Sequence, residues 1–163
     1  MAIPLGYSLN LRHQKQQLPN DCWATCLAMI CDWRGVAIAR PDILTRAPQI
    51  LQSHTYGEMA TCAEANKVIK TMSNGAIAFE LLGARKLEAD DFMQYTNRRR
   101  VVMLSMVNHM WLITGYNGSG NLLIHNVGSC IGGGQASWGL GGGVHGDGIR
   151  ALRVRRRRNP GRI

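Results

Sequence analysis

One cysteine of the sequence has the setting of a nucleophile. Cys22 follows Asp21, a residue type that favours helix N-caps, and it begins an apolar run that is compatible with a helix. A helix N-terminus offers free N–H groups and partial positive charge, and both stabilise a thiolate. Because the thiolate is the reactive form of cysteine, the sequence predicts nucleophilic chemistry at Cys22.

A nucleophilic cysteine also needs a base, a group that orients the base and a donor for the oxyanion. His109 opens a predicted strand and Asn126 lies near the end of the next one, so two paired strands can bring them together. Gln16 lies six residues before Cys22, where its amide and the Cys22 backbone N–H could form an oxyanion hole. Each feature alone is usually structural, but the order Gln, Cys, His, Asn is more specific.

Short segments around these residues resemble the papain-like cysteine peptidases. Residues 16–24 are similar to a motif in which Gln precedes Cys-Trp-Ala by six, and residues 109–116 to a histidine strand that ends in Gly-Tyr. Residues 123–128 resemble the asparagine segment and residues 146–150 the closing strand. By this resemblance Cys22 is the nucleophile, His109 its base and later acid, Asn126 the orienting group and Gln16 an oxyanion ligand.

The resemblance also implies a fold and a branch of the family. It implies α+β architecture, with a helical lobe that carries the cysteine, a β lobe that carries His and Asn, and a protein substrate in the cleft without a cofactor. The Asn-Asp-Cys sequence at 20–22 looks closer to compact bacterial types, such as double-glycine leader peptidases and papain-like effector or toxin domains. We expect Trp23 and Trp138 to contact substrate.

Two departures from the motif bear on the site. The tryptophan that usually follows the asparagine is Val127 here, which leaves the shielding of the His–Asn bond open. His125 competes with Asn126, although strand alternation favours a His125 side chain that points away from the site. The compact bacterial branches often carry Asp rather than Asn as the third member.

The other cysteines predict neither disulfides nor a metal. The chain has five cysteines, an odd number without a disulfide-like spacing, which favours a reducing site of action. We expect Cys26, Cys31 and Cys62 to be small buried hydrophobic residues and Cys130 to be an incidental thiol. Cys22, Cys26 and Cys31 fall in one predicted helix, which cannot surround a tetrahedral zinc ion alone.

The elements that must position these residues come in the order helices, then strands. Helices are predicted from Asp21 to Arg34, from Pro41 to an interruption at Pro48, and over 58–72 and 88–97. Strands are predicted over 76–82, 101–107, 109–116, 122–127 and 149–154, with a glycine-rich loop at 128–148. This order predicts one α+β domain: a helical lobe at about 12–75, a β lobe at about 76–155 and a basic tail at 155–163.

Net charge and hydropathy limit the partners. The formal charge is +9, and it comes entirely from residues 98–163, including the run Arg155–Arg158. No aromatic residue interleaves with this run, so we expect electrostatic steering rather than specific nucleic-acid binding. No apolar stretch reaches the length of a membrane span, and the first residues lack the pattern of a secretory signal.

The leading functional prediction is a cysteine endopeptidase that favours small residues such as Gly-Gly at the cleavage site. Alternatives are an amidase, deamidase or transferase with the same triad, including a cell-wall amidase, and a non-enzymatic basic module that binds nucleic acid. Because no pro-segment is visible, we expect a delivered effector or toxin domain, restrained at home by a cognate inhibitor or immunity protein and active in a cytoplasm-like reducing compartment.

Overall fold

A computed structural model describes residues 7–84, 89–106, 109–116, 122–127, 135–138 and 150–154. Several predicted features lie outside the described residues. They are the hairpin turn at 117–121, most of the closing motif at 146–150, most of the glycine-rich segment and the basic tail at 155–163.

Four helices form where apolar residues recur at helical spacing. They are α1 (Cys22–Trp33), α2 (Arg40–Leu51), α3 (Cys62–Met72) and α4 (Ala89–Asn97). The interruption predicted at Pro48 is wrong, because α2 continues through this residue to Leu51. Ile43, Leu44 and Ala47 are buried on the core side of α2, and this packing outweighs the helix hydrogen bond that proline cannot make.

The N-terminus of α3 is set by a capping box. The Thr61 side chain accepts a hydrogen bond from the Glu64 backbone N–H at 3.2 Å, and the Glu64 carboxylate accepts one from the Thr61 N–H at 2.7 Å. This reciprocal pair satisfies N–H groups that the helix leaves without partners. The helix therefore begins at Cys62 rather than at the predicted Glu58, and residues 52–61 are left to form a connecting segment.

The described strands form one antiparallel sheet. They are β1 (Tyr7–Ser8), β2 (Phe79–Ala84), β3 (Val102–Met106), β4 (His109–Tyr116), β5 (Leu122–Asn126), β6 (Gln135–Trp138) and β7 (Arg150–Val154). Their order is β2-β7-β3-β4-β5-β6, and β1 pairs with the end of β4. The bounds of β4 agree with the sequence prediction, whereas β6 lies inside the segment predicted to be a loop.

The sheet separates two apolar clusters, as an α+β fold requires. Met110 and Leu112 pack with α1, α2 and α3 in the larger cluster, whereas Ile113 packs with Phe92 of α4 in the smaller one. Alternate residues of β4 thus face the two layers, and α1 lies against the centre of the sheet. The last strand, β7, is an interior strand of the sheet, because it pairs with both β2 and β3.

Candidate active site

Cys22 is the first residue of α1, and its thiol is covered. Its exposed fraction is 0%, and Sγ lies 3.5 Å from the thioether Sδ of Met59, to which it donates a hydrogen bond. Met59 belongs to the segment that connects α2 and α3, so a residue distant in sequence covers the thiol at the start of α1. The sequence carries no periodic signal that identifies Met59.

The environment of Cys22 acts on its thiol in two directions. Burial raises the pKa of Cys22 above its ordinary value, and the nearby Asp21 carboxylate adds to the rise. Hydrogen bonds from the backbone of Met110, Trp23 and Cys22 itself favour the thiolate and lower the pKa. Burial dominates, so the thiol of this closed arrangement is protonated near neutral pH.

The start of α1 meets β4 at the residue that follows His109. The Met110 backbone interacts with the Cys22 thiol, and the Cys26 thiol donates to the Met110 carbonyl at 3.6 Å. Cys26 is fully buried, and this burial, together with the neighbouring Cys22 and Cys62, holds its pKa well above the ordinary value. These contacts hold the helix N-terminus beside the first residues of β4.

His109 and Asn126 occupy neighbouring strands in compatible register. Asn126 ends β5 and lies opposite Trp111 of β4, two residues beyond His109. Opposite residues and residues two apart share a face of a sheet, so Asn126 is on the face of His109 and Trp111, and Met110 and α1 lie on the other face. The ring of His109 meets the ring of Trp111 edge-on, with 6.0 Å between centroids. Trp111 is a site neighbour that the sequence analysis did not identify.

Gln16 lies beside the same strands but is engaged by its own loop. Its backbone N–H donates to the Val127 carbonyl at 2.9 Å, directly after Asn126. Its side-chain amide donates to the carbonyls of Leu18 and Pro19 at 3.0 and 3.2 Å. Gln16 is thus close to the predicted triad in the fold, while its amide holds the turn that leads into α1.

Asp21 does not cap α1 with its side chain, contrary to the prediction from its residue type. Its carboxylate is fully buried and pairs with the Arg40 guanidinium at 2.8 Å. The same Oδ2 atom accepts the Gln17 backbone N–H at 3.3 Å. Asp21, the residue before Cys22, therefore joins the Gln16 loop to the start of α2 instead of capping the helix N-terminus.

His125 pairs with His13. The two Nδ1 atoms lie 3.2 Å apart, and the ring centroids are 5.5 Å apart with the ring planes 22° from parallel. The centroids are farther apart than the nitrogens by about two ring radii, so each Nδ1 points at the other, as in an N–H···N hydrogen bond. His125 lies opposite Leu112, which packs with α1, so this register does not support the prediction that His125 points away from the site.

Protonation of this pair is unfavourable. Burial, with a smaller contribution from His13, lowers the pKa of His125 to about 4, and burial also lowers the pKa of His13. Near neutral pH both rings are uncharged, and one N–H group is shared between them. This bond and the Gln16–Val127 bond join the loop before α1 to β5.

The two tryptophans predicted to contact substrate have different outcomes. Trp23 is fully buried and donates from Nε1 to the Glu58 carbonyl at 3.0 Å, so it supports the 52–61 segment and offers substrate no surface. The side chain of Trp138 lies outside the described residues. The exposed apolar side chains of this region are instead Tyr56 and Leu18, which are 59% and 37% exposed.

Within the described ranges, no group of three or more His, Cys, Asp or Glu side chains could hold a metal ion. Cys22, Cys26, Cys31 and Cys62 are all buried and free of disulfides, and the last three behave as the predicted small hydrophobic residues. Over the same ranges, no helix is both long and apolar enough to cross a membrane.

A cysteine at the start of a helix, packed against the strand that begins with histidine, defines the class of papain-like cysteine peptidases. The family model described as "Papain-like cysteine protease AvrRpt2" matches residues 5–127. The chain belongs to this family of papain-like cysteine proteases and is a cysteine protease. This membership confirms the enzyme interpretation over the non-enzymatic basic module.

Solved structures agree on the fold. UfSP from C. elegans is similar to this chain with a TM-score of 0.63 and 11% identity, over 91% of this chain and 33% of that one. This chain therefore spans about a third of UfSP. A double glycine motif protease from an AMS/PCAT transporter, in complex with its leader peptide, is similar with a TM-score of 0.60 and 11% identity, over 90% and 93% of the two chains. No curated protein matches the sequence.

Proposed function

We propose that this protease cleaves a protein substrate through a Cys22–His109–Asn126 triad. The observation that carries the proposal is the contact of the Cys22 thiol with the backbone of Met110, the residue immediately after His109. Asn126 ends β5 opposite Trp111, at the same end of the sheet, which supports its choice as the third member. A helix-start thiol, an adjacent imidazole and an amide that orients the ring are the parts that acyl transfer by cysteine requires.

In the proposed reaction, His109 takes the Cys22 proton and the thiolate attacks the substrate carbonyl. The Cys22 backbone N–H, together with the Gln16 amide, stabilises the oxyanion. His109 then protonates the leaving amine, and water attacks the thioester to release the acyl group. Substrate must first displace Met59 from the thiol, and the Gln16 amide must turn from the carbonyls that it binds in the closed arrangement.

Trp111 is proposed to take the role of the missing tryptophan. Val127 stands where the papain-like motif carries the aromatic residue that shields the His–Asn pair. Trp111 lies opposite Asn126 and contacts the ring of His109, so a neighbouring strand supplies an aromatic side chain at this place. Such a side chain excludes water from the hydrogen bond between imidazole and amide and strengthens it.

We further propose a substrate with small residues, such as Gly-Gly, at the cleavage site. The fold it shares with a double glycine motif protease supports this choice, as does the confined setting of a thiol that Met59 covers. Exposed Tyr56 and Leu18 lie on the two loops that flank the α1 start, where they could contact the flanking residues of a substrate. The two loops approach each other here, because Leu18 Cδ1 lies 4.0 Å from the place that a Cβ atom on Gly57 would occupy.

The biological setting is proposed to be a delivered effector or toxin domain. A cognate inhibitor would keep the enzyme inactive in the cell that produces it. Expression of the wild-type chain alone should be toxic, whereas expression of the Cys22→Ala chain should be tolerated. Equal tolerance of both chains at high expression contradicts this part of the proposal.

The triad is tested with a peptidyl chloromethyl ketone that ends in Gly-Gly and with the matching peptide substrate. We expect labelling at Cys22 and peptide cleavage, both lost in His109→Ala and both retained in Cys31→Ala, which alters another buried thiol of α1. Equal labelling of Cys22 and Cys130 contradicts the assignment of the nucleophile. Cell-wall fragments and glutamine-containing proteins, assayed beside the peptide, separate amidase, deamidase and transferase activity from proteolysis.

A further inference from the structure

A cationic cavity lies outside the candidate active site. It has a volume of about 390 Å³ and opens between residues 12–17 and the start of α2. Its charged lining residues are all basic: Arg12, Lys15 and Arg40. Neither Cys22 nor Met59 lines it. Its volume is within the range of small-molecule sites in proteins.

The positive charge of this cavity is only partly compensated. Among the residues that the structure describes, Arg40 pairs with Asp21, whereas Arg12 and Lys15 take part in no ion pair. Three cations that converge on one cavity repel one another, and Asp21 offsets only one of the three charges. A bound anion would remove this repulsion, which gives the cavity a preference for negatively charged ligands.

Arg40 is held in place before any ligand arrives. Its Nη1 atom donates to the fully buried Asp21 at 2.8 Å, and the Arg40 side chain is only 13% exposed. A guanidinium has five N–H donors, so one bond to Asp21 leaves donors for a phosphate.

A neighbouring cavity limits the length of the ligand. This second cavity, of about 370 Å³, shares Gln14 and Ala39 with the first and is lined by Asp32 and Asp42. A long polyanion such as nucleic acid, if it continued along this surface, would meet two carboxylates and be repelled. The pair of cavities therefore favours a compact anion that stays within the cationic one.

We propose that the cavity lined by Arg12, Lys15 and Arg40 binds the phosphate groups of a small di- or triphosphate compound. One wall of the cavity is the 12–17 segment, which carries Gln16 and is joined to β5 through His13. Occupancy therefore fixes the loop that precedes α1 against α2. This effect on catalysis rests on the proposed function, whereas binding itself does not.

The site is tested by calorimetric titration and thermal unfolding with tripolyphosphate as the probe. The variant R12Q/K15Q is compared with R46Q/K67Q, which removes the same charge from two exposed residues outside the cavity. We expect wild type and R46Q/K67Q to bind equally, and R12Q/K15Q to bind at least about tenfold more weakly, because two charge-assisted contacts are lost. Sodium chloride at matched ionic strength should not reproduce the thermal shift.

Three results would overturn the proposal. They are the absence of tripolyphosphate binding, an equal loss of affinity in both double variants, and tighter binding of a single-stranded oligonucleotide than of tripolyphosphate through the same residues. Binding by Cys22→Ala keeps this test independent of the proposed function, because the chain can retain the anion site without any peptidase activity. A peptidase assay with and without tripolyphosphate then measures the effect on the Gln16 loop.

Discussion

The His13–His125 pair predicts a specific loss of stability in mild acid. The folded protein holds the pKa of His125 at about 4, whereas the ordinary value is 6.5. Above pH 6.5 the ring is neutral in both the folded and the unfolded chain. Between pH 6.5 and 4 the unfolded chain takes up a proton that the folded chain excludes, so the free energy of unfolding falls as the pH falls.

The magnitude follows from the size of the pKa shift. One pKa unit corresponds to about 1.4 kcal/mol, so the full shift of His125 corresponds to roughly 3 kcal/mol. Solvent near the pair screens part of the charge, and we therefore expect a loss of about 2 kcal/mol between pH 7 and pH 4.5. The lowered pKa of His13 also makes the folded protein less stable as the pH falls below neutrality.

The matched variant is His125→Gln, which keeps a polar side chain that does not titrate. At pH 7.5 it should be less stable than wild type by about 1 kcal/mol, because the hydrogen bond to His13 is weakened. At pH 4.5 the order should reverse or the two chains should be equally stable. Urea unfolding followed by tryptophan fluorescence, at half-unit steps of pH, measures both differences.

Parallel curves for wild type and His125→Gln would refute this reasoning, since the titration of His125 would then contribute nothing. The variant His13→Gln supplies a second measurement. It removes the smaller, Coulombic contribution to the pKa shift of His125 and leaves the larger one from burial. Its pH dependence should therefore lie between those of wild type and His125→Gln.

Three further perturbations probe other contacts. Met59→Ala should speed alkylation of the thiol beneath it by iodoacetamide several-fold, measured by mass spectrometry, and an unchanged rate means that Met59 does not control access. Arg40→Gln should lower the free energy of unfolding by about 3 kcal/mol, because the buried Asp21 carboxylate loses its cation, and Asp21→Asn in the same chain should restore part of the loss in urea unfolding. Thr61→Ala should lower thermal stability by about 1 kcal/mol through the lost cap and leave the alkylation rate unaltered.

The regular elements could be predicted wherever one physical signal dominated. The run from His109 to Tyr116 is bounded by turn residues and rich in strand-forming side chains, and β4 has these bounds. At Pro48 the local signal was outweighed by burial of the residues before it, which only the assembled core supplies. The strand Gln135–Trp138 lies in glycine-rich sequence, and its pairing with β5 has no local counterpart in the sequence.

Some residues of the candidate site could likewise be predicted from local sequence, and others could not. Cys22 and His109 were predicted from positions that the chain marks locally, a helix start and a strand start. Asp21 was assigned a capping role from its type, but its true partner is Arg40 of the next helix, which no short-range pattern connects to it. Met59 lies in a connecting segment without periodicity, so its place beside the thiol depends on how α2 and α3 pack.

The raised pKa of Cys22 depends both on local contacts at the start of α1 and on burial by residues that are distant in sequence. Backbone hydrogen bonds at the start of α1 do favour the thiolate, as the helix-terminus rule predicts, but burial is larger. The covering group is the thioether of Met59, 37 residues away in sequence, on an unbranched side chain with three rotatable bonds. We expect the same backbone groups to stabilise the thiolate once substrate displaces the thioether. Under the proposed function, we therefore expect solvent access, rather than helix position alone, to determine when Cys22 reacts.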